Sequence, residues 1–188
     1  NSVAAVVTER DANWWSLRCQ SLQCNELEKG YFNSGVLLIN TLAWAQESVS
    51  AKAMSMLADK AIVSRLTYMD QDILNLILLG KVKFIDAKYN TQFSLNYELK
   101  KSFICPINDE TVLIHYVGPT KPWHYWAGYP SAQPFIKAKE ASPWKNEQLM
   151  RPINSNYARY CAKHNFKQNK PINGIMNYIY YFYLKIIK

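Results

Sequence analysis

Residues 114–123 read Ile114-His115-Tyr116-Val117-Gly118-Pro119-Thr120-Lys121-Pro122-Trp123, which places a histidine, a glycine and a lysine at three-residue intervals. The β-forming residues 111–114 predict a strand that delivers His115 to the following loop. Gly118 lets backbone approach a ligand closely, and Lys121 adds a positive charge beside it. This spacing is compatible with a loop that binds a metal-bound phosphate. A plain β-turn at Gly118-Pro119 is the alternative, because short motifs also match by chance.

The 188 residues are 49% hydrophobic, which is enough for a substantial core in one domain or one large piece of a domain. No apolar run approaches the roughly 18–20 residues that span a bilayer, and no secretory signal is visible at Asn1. Because the chain does not begin with methionine and residues 3–7 already have the pattern of a buried strand, we expect it to begin inside a larger protein. The cysteines show no metal-ligand spacing, which favours free thiols in a reducing compartment.

The net charge of +8 is concentrated in the last third of the chain. Residues 1–120 hold 11 Lys/Arg and 12 Asp/Glu, whereas residues 121–188 hold 11 Lys/Arg and only Glu140 and Glu147. Such a basic segment favours contact with nucleic acid, anionic lipid or a phosphorylated substrate. A basic surface that only keeps the protein soluble is the alternative. No nucleic-acid-binding motif accompanies the basic residues, so we expect no nucleic-acid partner.

Short β-type runs alternate with helical periodicities in the first two thirds of the chain, which predicts an α/β fold with a mostly parallel sheet. The predicted strands are residues 3–7, 36–40, 81–86 and 111–117. The apolar run 36–39 is typical of a strand buried on both faces. Predicted helices follow a cap at Asp11, start again at Thr41 and continue to Leu57, and run from near Asp70 to Gly80.

Two polar clusters stand next to predicted secondary structure and could hold a ligand. Asn33-Ser34-Gly35 is predicted as a tight corner before residues 36–39, where Asn33 would present its amide and Gly35 would keep the backbone close to a hydroxylated ligand. Asp70 and Gln71 stand at the start of a predicted helix, where sugar hydroxyls could be held. A plain turn and a helix-capping aspartate, worth about 0.5–2 kcal/mol, are the alternatives.

The chain changes character after Trp123. An aromatic loop rich in Gly and Pro is followed by Ser142-Pro143-Trp144, which is typical of the cap and first turn of a helix reaching Met150. A second helix is predicted at residues 154–164, and Pro171 begins a third segment that mixes aromatic and aliphatic residues with lysines. We therefore predict a domain of residues 1–134 and a small, basic, helical domain of residues 135–188.

Three motifs in a fixed order are far more specific than any one of them. They are Tyr31-Phe32-Asn33-Ser34-Gly35-Val36-Leu37-Leu38-Ile39-Asn40, Asp70-Gln71-Asp72-Ile73-Leu74-Asn75, and His115-Tyr116-x-Gly118-x-x-Lys121-Pro122-Trp123. This order resembles glycosyltransferase family 8, whose members are retaining enzymes with the Rossmann-like GT-A fold for nucleotide sugars. The resemblance covers about residues 1–130. Residues 142–188 resemble the short C-terminal domain of the bacterial branch that extends the lipopolysaccharide core.

The resemblance implies a role for each residue of the third motif. His115 would be the protein's histidine ligand to Mn²⁺ or Mg²⁺. Gly118 and Lys121 would contact the diphosphate of the donor, UDP-glucose or UDP-galactose.

The resemblance places the residues of the first two motifs around the donor sugar. Asn33 with the Ser34-Gly35 backbone would hold the sugar, and Asp70 and Gln71 would form the catalytic pair. The family often has alanine where Ser34 stands, a small change that leaves the match intact.

The metal-binding Asp-x-Asp of the family belongs upstream of the strand that starts here at Val3. The run Asp70-Gln71-Asp72 fits that pattern formally, but its place in the order marks it as the sugar-site motif. The resemblance therefore implies the C-terminal part of a GT-A domain followed by a small helical domain, with half of the active site missing. We expect residues 1–188 to be inactive on their own.

The implied reaction moves glucose or galactose from a UDP-α-sugar to the lipopolysaccharide outer core with retention of configuration. Same-face attack is favoured over a covalent intermediate, for which Asp70 is the only candidate carboxylate in the motifs. The acceptor is anionic and is made at the cytoplasmic face of the bacterial inner membrane, where an amphipathic helix at residues 175–187 would contact anionic lipid. Packing of that helix on the catalytic domain is the alternative. The alternative function is a non-catalytic fragment that binds membrane or lipopolysaccharide.

Overall fold

The computed structural model describes residues 2–10 and 12–187. The chain forms two compact units, Asn1–Asn90 and Thr91–Lys188. Asp11, the predicted cap of the first helix, lies outside the described residues. Among the helices of the described ranges, none is long and apolar enough to cross a membrane.

The first unit alternates strands and helices, as the hydrophobic periodicity predicts. Its elements are β1 (Ala4–Thr8), α1 (Ala12–Leu22), β2 (Phe32–Ile39), α2 (Thr41–Gln46), α3 (Val49–Ala58), α4 (Lys60–Val63), α5 (Met69–Ile77) and β3 (Val82–Phe84). A 3₁₀ turn at Asn25–Lys29 joins α1 to β2. One hydrophobic cluster packs on the sheet and consists of Val3, Ala4, Val6, Phe32, Val49 and Leu78.

The sheet of the first unit is mixed, with the strand order β2-β1-β3. β1 pairs with β3 in parallel, but it pairs with β2 antiparallel, with Ala4 opposite Ile39 and Val6 opposite Leu37. The prediction of a mostly parallel sheet is therefore wrong for this unit. The connection through α1 returns the chain alongside β1 in the opposite direction, and an antiparallel edge strand is common in α/β folds.

Two predictions about β2 are corrected by the structure. The run 36–39 is not buried on both faces, because β2 lies at the edge of the sheet and Leu38 is 72% exposed. Residues 33–35 are not a corner, because they lie inside β2. The turn comes earlier, at Gly30, whose φ is +148°. Burial of Phe32 by the neighbouring helix fixes the strand's start, which periodicity alone does not reveal.

The helix predicted from Thr41 to Leu57 is broken into α2 and α3. Ser48 adopts a left-handed backbone with φ of 51°, and this ends the first helix after a turn and a half. Asn40 caps α2 by accepting from the Ala43 N–H, and Asp59 caps α4 in the same way. A continuous apolar period does not reveal such a break, because the period resumes in α3 with the same spacing.

The second unit combines a two-stranded parallel sheet with three helices. Its elements are β4 (Thr91–Phe93), β5 (Ile114–Tyr116), α6 (Gln133–Glu140), α7 (Ser155–Lys167) and α8 (Pro171–Ile186). Its core contains Phe93, Leu95, Ala127, Tyr129 and Ala132. Asn154 caps α7 by accepting from the Tyr157 N–H at 2.9 Å, which confirms the helix predicted near residues 154–164. Pro171 begins α8, also as predicted.

The helix predicted from Ser142 to Met150 is wrong. Residues 141–147 form turns, and the helix in this region is α6, which ends before Ala141. The Ser142 hydroxyl bonds backwards to the Lys139 carbonyl, so it closes the end of α6 and does not start a new helix. Along the sequence, the boundary between the two compact units follows Asn90. The division into domains of residues 1–134 and 135–188 stays a prediction.

Candidate functional site

Side-chain hydrogen bonds join the start of β2 to the first turn of α5. Ser34 Oγ donates to Asp70 Oδ2 at 2.7 Å, and the Ser34 N–H donates to Gln71 Oε1 at 3.1 Å. Asn33 Nδ2 donates to the same Gln71 oxygen at 3.2 Å. The Gly35 N–H donates to Asn33 Oδ1 at 3.0 Å. The five residues predicted to surround a sugar therefore form one cluster, although the two motifs lie far apart in the chain.

Asp70 has the exposed side chain of this cluster. Its Oδ2 is held by Ser34, and within the part of the chain that the structure describes no group donates to its Oδ1. A carboxylate with one fixed and one open oxygen can accept a hydrogen bond from a hydroxyl group. Gln71 is buried, and its amide oxygen is already occupied by donors from β2, so it fixes the junction of β2 and α5.

Asn33 forms the buried centre of the cluster, and two of its partners were missed by the sequence motifs. Its Nδ2 donates to Glu9 Oε2 at 2.5 Å as well as to Gln71, and its Oδ1 accepts from Asn90 Nδ2 at 3.0 Å as well as from Gly35. Since an amide has two donor and two acceptor positions, the protein uses all of them. Glu9 and Asn90 belong to no motif. The one sequence signal is that Glu9 is a polar residue close to the end of an apolar run.

Asp72 is fully buried and holds the N-terminal end of α5. Its Oδ2 accepts from Arg18 Nη2 at 2.7 Å and from the Thr67 and Tyr68 N–H groups at 2.8 Å. Its Oδ1 accepts from Tyr31 Oη at 2.6 Å. Burial, followed by this bond to a carboxylate, raises the pKa of Tyr31. Capping of the helix was considered for Asp70, but Asp72 satisfies the backbone N–H groups ahead of α5.

In the second unit, the turn after β5 requires glycine at position 118. The Val117 N–H donates to the Phe93 carbonyl at 3.0 Å, which continues the pairing of β4 and β5. Gly118 then takes φ of +81°, and a Cβ at this position would lie 2.8 Å from Ser94 Oγ. The positive φ therefore strains any residue with a side chain, and its Cβ would also force the Ser94 hydroxyl to move.

His115 and Lys121 line one cleft of about 640 Å³, together with Trp123 and Phe135. Lys121 Nζ donates to the Tyr116 carbonyl at 2.5 Å, and burial lowers its pKa. Within the described ranges, no carboxylate forms an ion pair with Lys121. A half-buried ammonium without a counter-charge attracts an anion, so the cleft offers a binding position for a phosphate group.

A complete site for Mn²⁺ or Mg²⁺ does not form from the residues of this chain that the structure describes. No group of three or more His, Cys, Asp or Glu side chains that could hold a metal ion occurs among them. His115 can supply one imidazole nitrogen, whereas Mg²⁺ takes about six ligands and Mn²⁺ favours a similar oxygen-rich shell.

The structure divides the predicted site residues between the two units. The first unit brings together Asn33, Ser34, Gly35, Asp70 and Gln71. The second contains His115, Gly118 and Lys121, of which the histidine and the lysine line one cleft.

Sequence comparison identifies the class of protein. Residues 1–127 match the sequence model of Glycosyl transferase family 8, and residues 129–185 match that of Glycosyl transferase family 8 C-terminal. The first match covers more than half of the chain, so this protein belongs to glycosyl transferase family 8. The resemblance drawn from the three motifs is confirmed.

Curated relatives include enzymes that act on lipopolysaccharide. The chain is 54% identical over 187 residues to the lipopolysaccharide glucosyltransferase WaaO of Escherichia coli (strain K12), a match that covers 99% of this chain and 55% of the relative. It is 50% identical over 188 residues to the lipopolysaccharide 1,3-galactosyltransferase of Salmonella typhimurium, with 100% and 56% covered. The chain thus spans about half the length of the curated relatives it matches.

Solved structures agree with the predicted fold class. The galactosyltransferase LgtC, solved in complex with donor and acceptor sugar analogs, is 25% identical with a TM-score of 0.56, over 76% of this chain and 52% of that one. The apo structure of the bifunctional glycosyltransferase WbbM has a TM-score of 0.57, at 20% identity, over 78% and 29% of the two chains. The α/β fold of the GT-A type with a helical C-terminal region is confirmed.

Proposed function

We propose that this chain is the C-terminal part of a metal-dependent, retaining hexosyltransferase that moves glucose or galactose from a UDP-sugar to the lipopolysaccharide outer core. The observation that carries the proposal is the unpaired ammonium of Lys121, which shares a cleft with His115. The names of the two relatives at 50% identity or more support the acceptor class and leave both sugars open as donors. Membership of the glycosyltransferase family supports the reaction class.

On the phosphate side, Lys121 and Gly118 contact the diphosphate of UDP. The leaving group gains negative charge as the glycosidic bond breaks, and a fixed ammonium placed beside it lowers the barrier because it needs no reorganisation. The bare backbone at Gly118 allows close approach of a phosphate oxygen. Bound Mn²⁺ or Mg²⁺ would supply further charge neutralisation as a Lewis acid, with His115 as one ligand and the remaining ligands from outside the described residues.

On the sugar side, the open oxygen of Asp70 accepts a hydrogen bond from a hydroxyl of the donor sugar. Ser34 holds the other oxygen of this carboxylate, and Gln71 fixes the backbone of Ser34 and the amide of Asn33. Gly35 completes the segment by donating its N–H to Asn33. The cluster acts as a rigid support, because every bond within it joins β2 to α5 or stays within β2.

The acceptor hydroxyl attacks from the face that the diphosphate leaves. The leaving phosphate takes the acceptor's proton, and no covalent glycosyl-enzyme forms. The amide oxygen of Gln71 is engaged by two donors and is not available as a nucleophile. This arrangement supports same-face attack over double displacement, which needs a carboxylate close to the anomeric carbon.

The enzyme works in the cytoplasm at the inner face of the bacterial inner membrane. Apolar and aromatic side chains on α8 are exposed, among them Ile172, Ile175, Ile179, Phe182 and Ile186. The unit that contains α8 also carries 13 of the 22 Lys and Arg residues of the chain. An amphipathic helix beside a basic surface binds anionic lipid, which brings the enzyme to its membrane-embedded acceptor.

Calorimetric titration with UDP, with and without Mn²⁺, tests the donor site. Residues 1–188 are compared with a longer chain extended upstream, and with the longer chain carrying His115→Ala. We expect metal-dependent binding by the longer chain, lost in the variant, and no binding by residues 1–188 alone. Metal-independent binding, or no binding by either chain, would contradict the proposal.

The second candidate is a non-catalytic fragment that binds membrane or lipopolysaccharide. The observation that favours it is the incomplete metal site of the described residues, together with the exposed α8. It predicts vesicle or lipopolysaccharide binding without any affinity for UDP. The same titration therefore separates the two candidates.

A further inference from the structure

Two buried histidines have no part in the proposed reaction. His124 is 1% exposed and His164 is 0% exposed, and both lie in the second unit. Neither belongs to the motif that contains His115. A buried imidazole needs hydrogen-bond partners, so the partners of these two rings indicate what they hold in place.

His164, on α7, bonds to the loop that carries Lys121. Its Nε2 lies 3.1 Å from Thr120 Oγ1 and 3.1 Å from Asn96 Oδ1, and its Nδ1 lies 2.7 Å from Tyr129 Oη. An amide oxygen can only accept, so Nε2 carries the proton and Nδ1 accepts from the tyrosine hydroxyl. The neutral ring thereby ties α7 to Thr120, which is itself fully buried.

His124 holds the next residue of the same loop. Its ring Nδ1 accepts from the Lys121 N–H at 3.1 Å, and the backbone N–H of His124 donates to the Lys121 carbonyl at 3.0 Å. The ring stacks on Trp126 with centroids 4.2 Å apart, and it meets Tyr157 of α7 at 4.9 Å. The two histidines therefore fix consecutive residues, Thr120 and Lys121, against the same helix.

Two further contacts hold the loop that contains Gly118 and Lys121. Gly118 lies against Ser94, and Lys121 Nζ reaches back to the Tyr116 carbonyl. Burial lowers the pKa of both rings to about 4, so they stay neutral near pH 7. Neutrality preserves the lone pair that each Nδ1 uses to accept its bond.

We infer that His124 and His164 are positioning residues that hold Thr120 and Lys121 in the conformation that meets the donor diphosphate. The inference rests on the proposed function for its ligand and on the contacts above for its geometry. It gives α7 a direct part in binding the donor, beyond its packing against α8.

Paired substitutions at each position separate the hydrogen bond from the packing. His124→Phe keeps the ring stack and removes the acceptor, whereas His124→Asn returns an acceptor near the Nδ1 position. His164→Leu removes the contacts to Thr120, Asn96 and Tyr129, whereas His164→Gln returns a donor near the Nε2 position. Asn165→Ala is the control, because the side chain of buried Asn165 bonds to Cys161 of its own helix and interacts with Tyr125, and within the described residues it makes no bond to Thr120 or Lys121.

The measurements are amide hydrogen exchange at Lys121 and the dissociation constant for UDP with Mn²⁺, both in the full-length protein at pH 7. We expect His124→Phe and His164→Leu to speed exchange and to weaken UDP binding about tenfold, as for one lost hydrogen bond to an ordered loop. In His124→Asn and His164→Gln, the exchange rate at Lys121 and the affinity for UDP should both return most of the way to the wild-type values. Asn165→Ala should change neither, even where it lowers the melting temperature.

Exchange and UDP affinity that are unchanged in His124→Phe and His164→Leu would overturn the inference. Equal effects of His124→Phe and His124→Asn would also overturn it, because only the phenylalanine variant loses the hydrogen-bond acceptor. Wild-type protein without UDP affinity would contradict the proposed function. Faster exchange in the variants would then still support the positioning of Lys121, because that readout needs no ligand.

Discussion

Ser34 provides a hydroxyl group that orders the carboxylate of Asp70. Its Oγ fixes one oxygen of Asp70 at 2.7 Å and leaves the other open. We expect Ser34→Ala to lower kcat/KM for sugar transfer roughly twofold to fivefold, because Asp70 becomes less ordered at the surface. The control is Ser64→Ala, whose hydroxyl bonds only to the Ala61 carbonyl. Equal activity of the Ser34 variant and the control would remove Ser34 from the site.

Gln71 provides a test of the reaction course. If attack occurs on the same face as departure, Gln71→Ala in the full-length enzyme keeps measurable transfer, because the substitution removes a support of β2 and no nucleophile. We expect a reduced kcat without a covalent adduct, checked by intact-protein mass spectrometry. Total loss of transfer, with a trapped glycosyl-enzyme in other variants of the cluster, would favour double displacement.

At the scale of single residues, the motif order identified the groups that meet but not the groups that hold them. Asn33, Asp70 and Gln71 were predicted because they belong to motifs, and the structure brings them together. Glu9 and Asn90 were missed because a supporting partner can come from any nearby segment. Contacts between segments that are distant in the chain produce no regular spacing of residues, so a sequence motif does not reveal them.

The N-terminal end of α5 depends on the buried pair of Asp72 and Arg18. Asp72→Asn leaves the Arg18 charge buried without its partner, and we expect the free energy of unfolding to fall by about 3–5 kcal/mol. Chemical denaturation monitored by circular dichroism measures this change. Asp86→Asn is the control, because exposed Asp86 accepts only a local bond from the Lys88 N–H. Similar losses in both variants would show that the buried pair has no special role.

The helices α7 and α8 form a layer whose stability depends on pH. Burial lowers the pKa of His164 to about 4, below its value of roughly 6.5 in an unfolded chain. The unfolded state therefore binds the proton more readily, so this contribution is complete above about pH 6.5 and is lost as the pH falls towards 4. Between pH 7 and pH 5, we expect wild-type protein to lose more unfolding free energy than His164→Gln. Parallel pH profiles of the two proteins would contradict the assignment.

At the scale of elements, sequence periodicity found most helices and strands but not their limits. α5, α7 and α8 were predicted because each has a clear start signal and a regular apolar face. The break at Ser48 was missed because a single left-handed residue leaves the apolar spacing intact. The antiparallel pairing of β2 was missed because strand direction depends on the connection and not on strand composition.

Exposed apolar residues of the second unit predict reversible membrane binding. We expect the double variant Ile179→Ser, Phe182→Ser to reduce co-sedimentation of the full-length protein with phosphatidylglycerol vesicles by tenfold or more, since each apolar side chain contributes about 1.5–3 kcal/mol when it is buried. Binding should also weaken with added salt, because part of it comes from basic residues.

Ile104→Ser is the matched control for the membrane experiment. Ile104 is 91% exposed and lies outside α8, so the substitution removes a comparable apolar side chain from a different part of the surface. Deletion of residues 171–188 is a coarser test, because it also uncovers α7. Vesicle binding that is unchanged by the double variant and by the deletion would end the membrane proposal and leave α8 as a packing element.

The backbone at Gly118 has a consequence for how the gene can vary. Every glycine codon begins with two guanines, and every single-base missense change in it introduces a residue with a Cβ. At position 80, where φ is +71°, such a change strains the backbone, but nothing lies within 4 Å of an added Cβ. At position 118 the added atom meets Ser94, so each first step away from glycine carries a penalty. Position 118 is thus restricted twice, by its backbone conformation and by Ser94, so variants there should be rarer than variants at position 80.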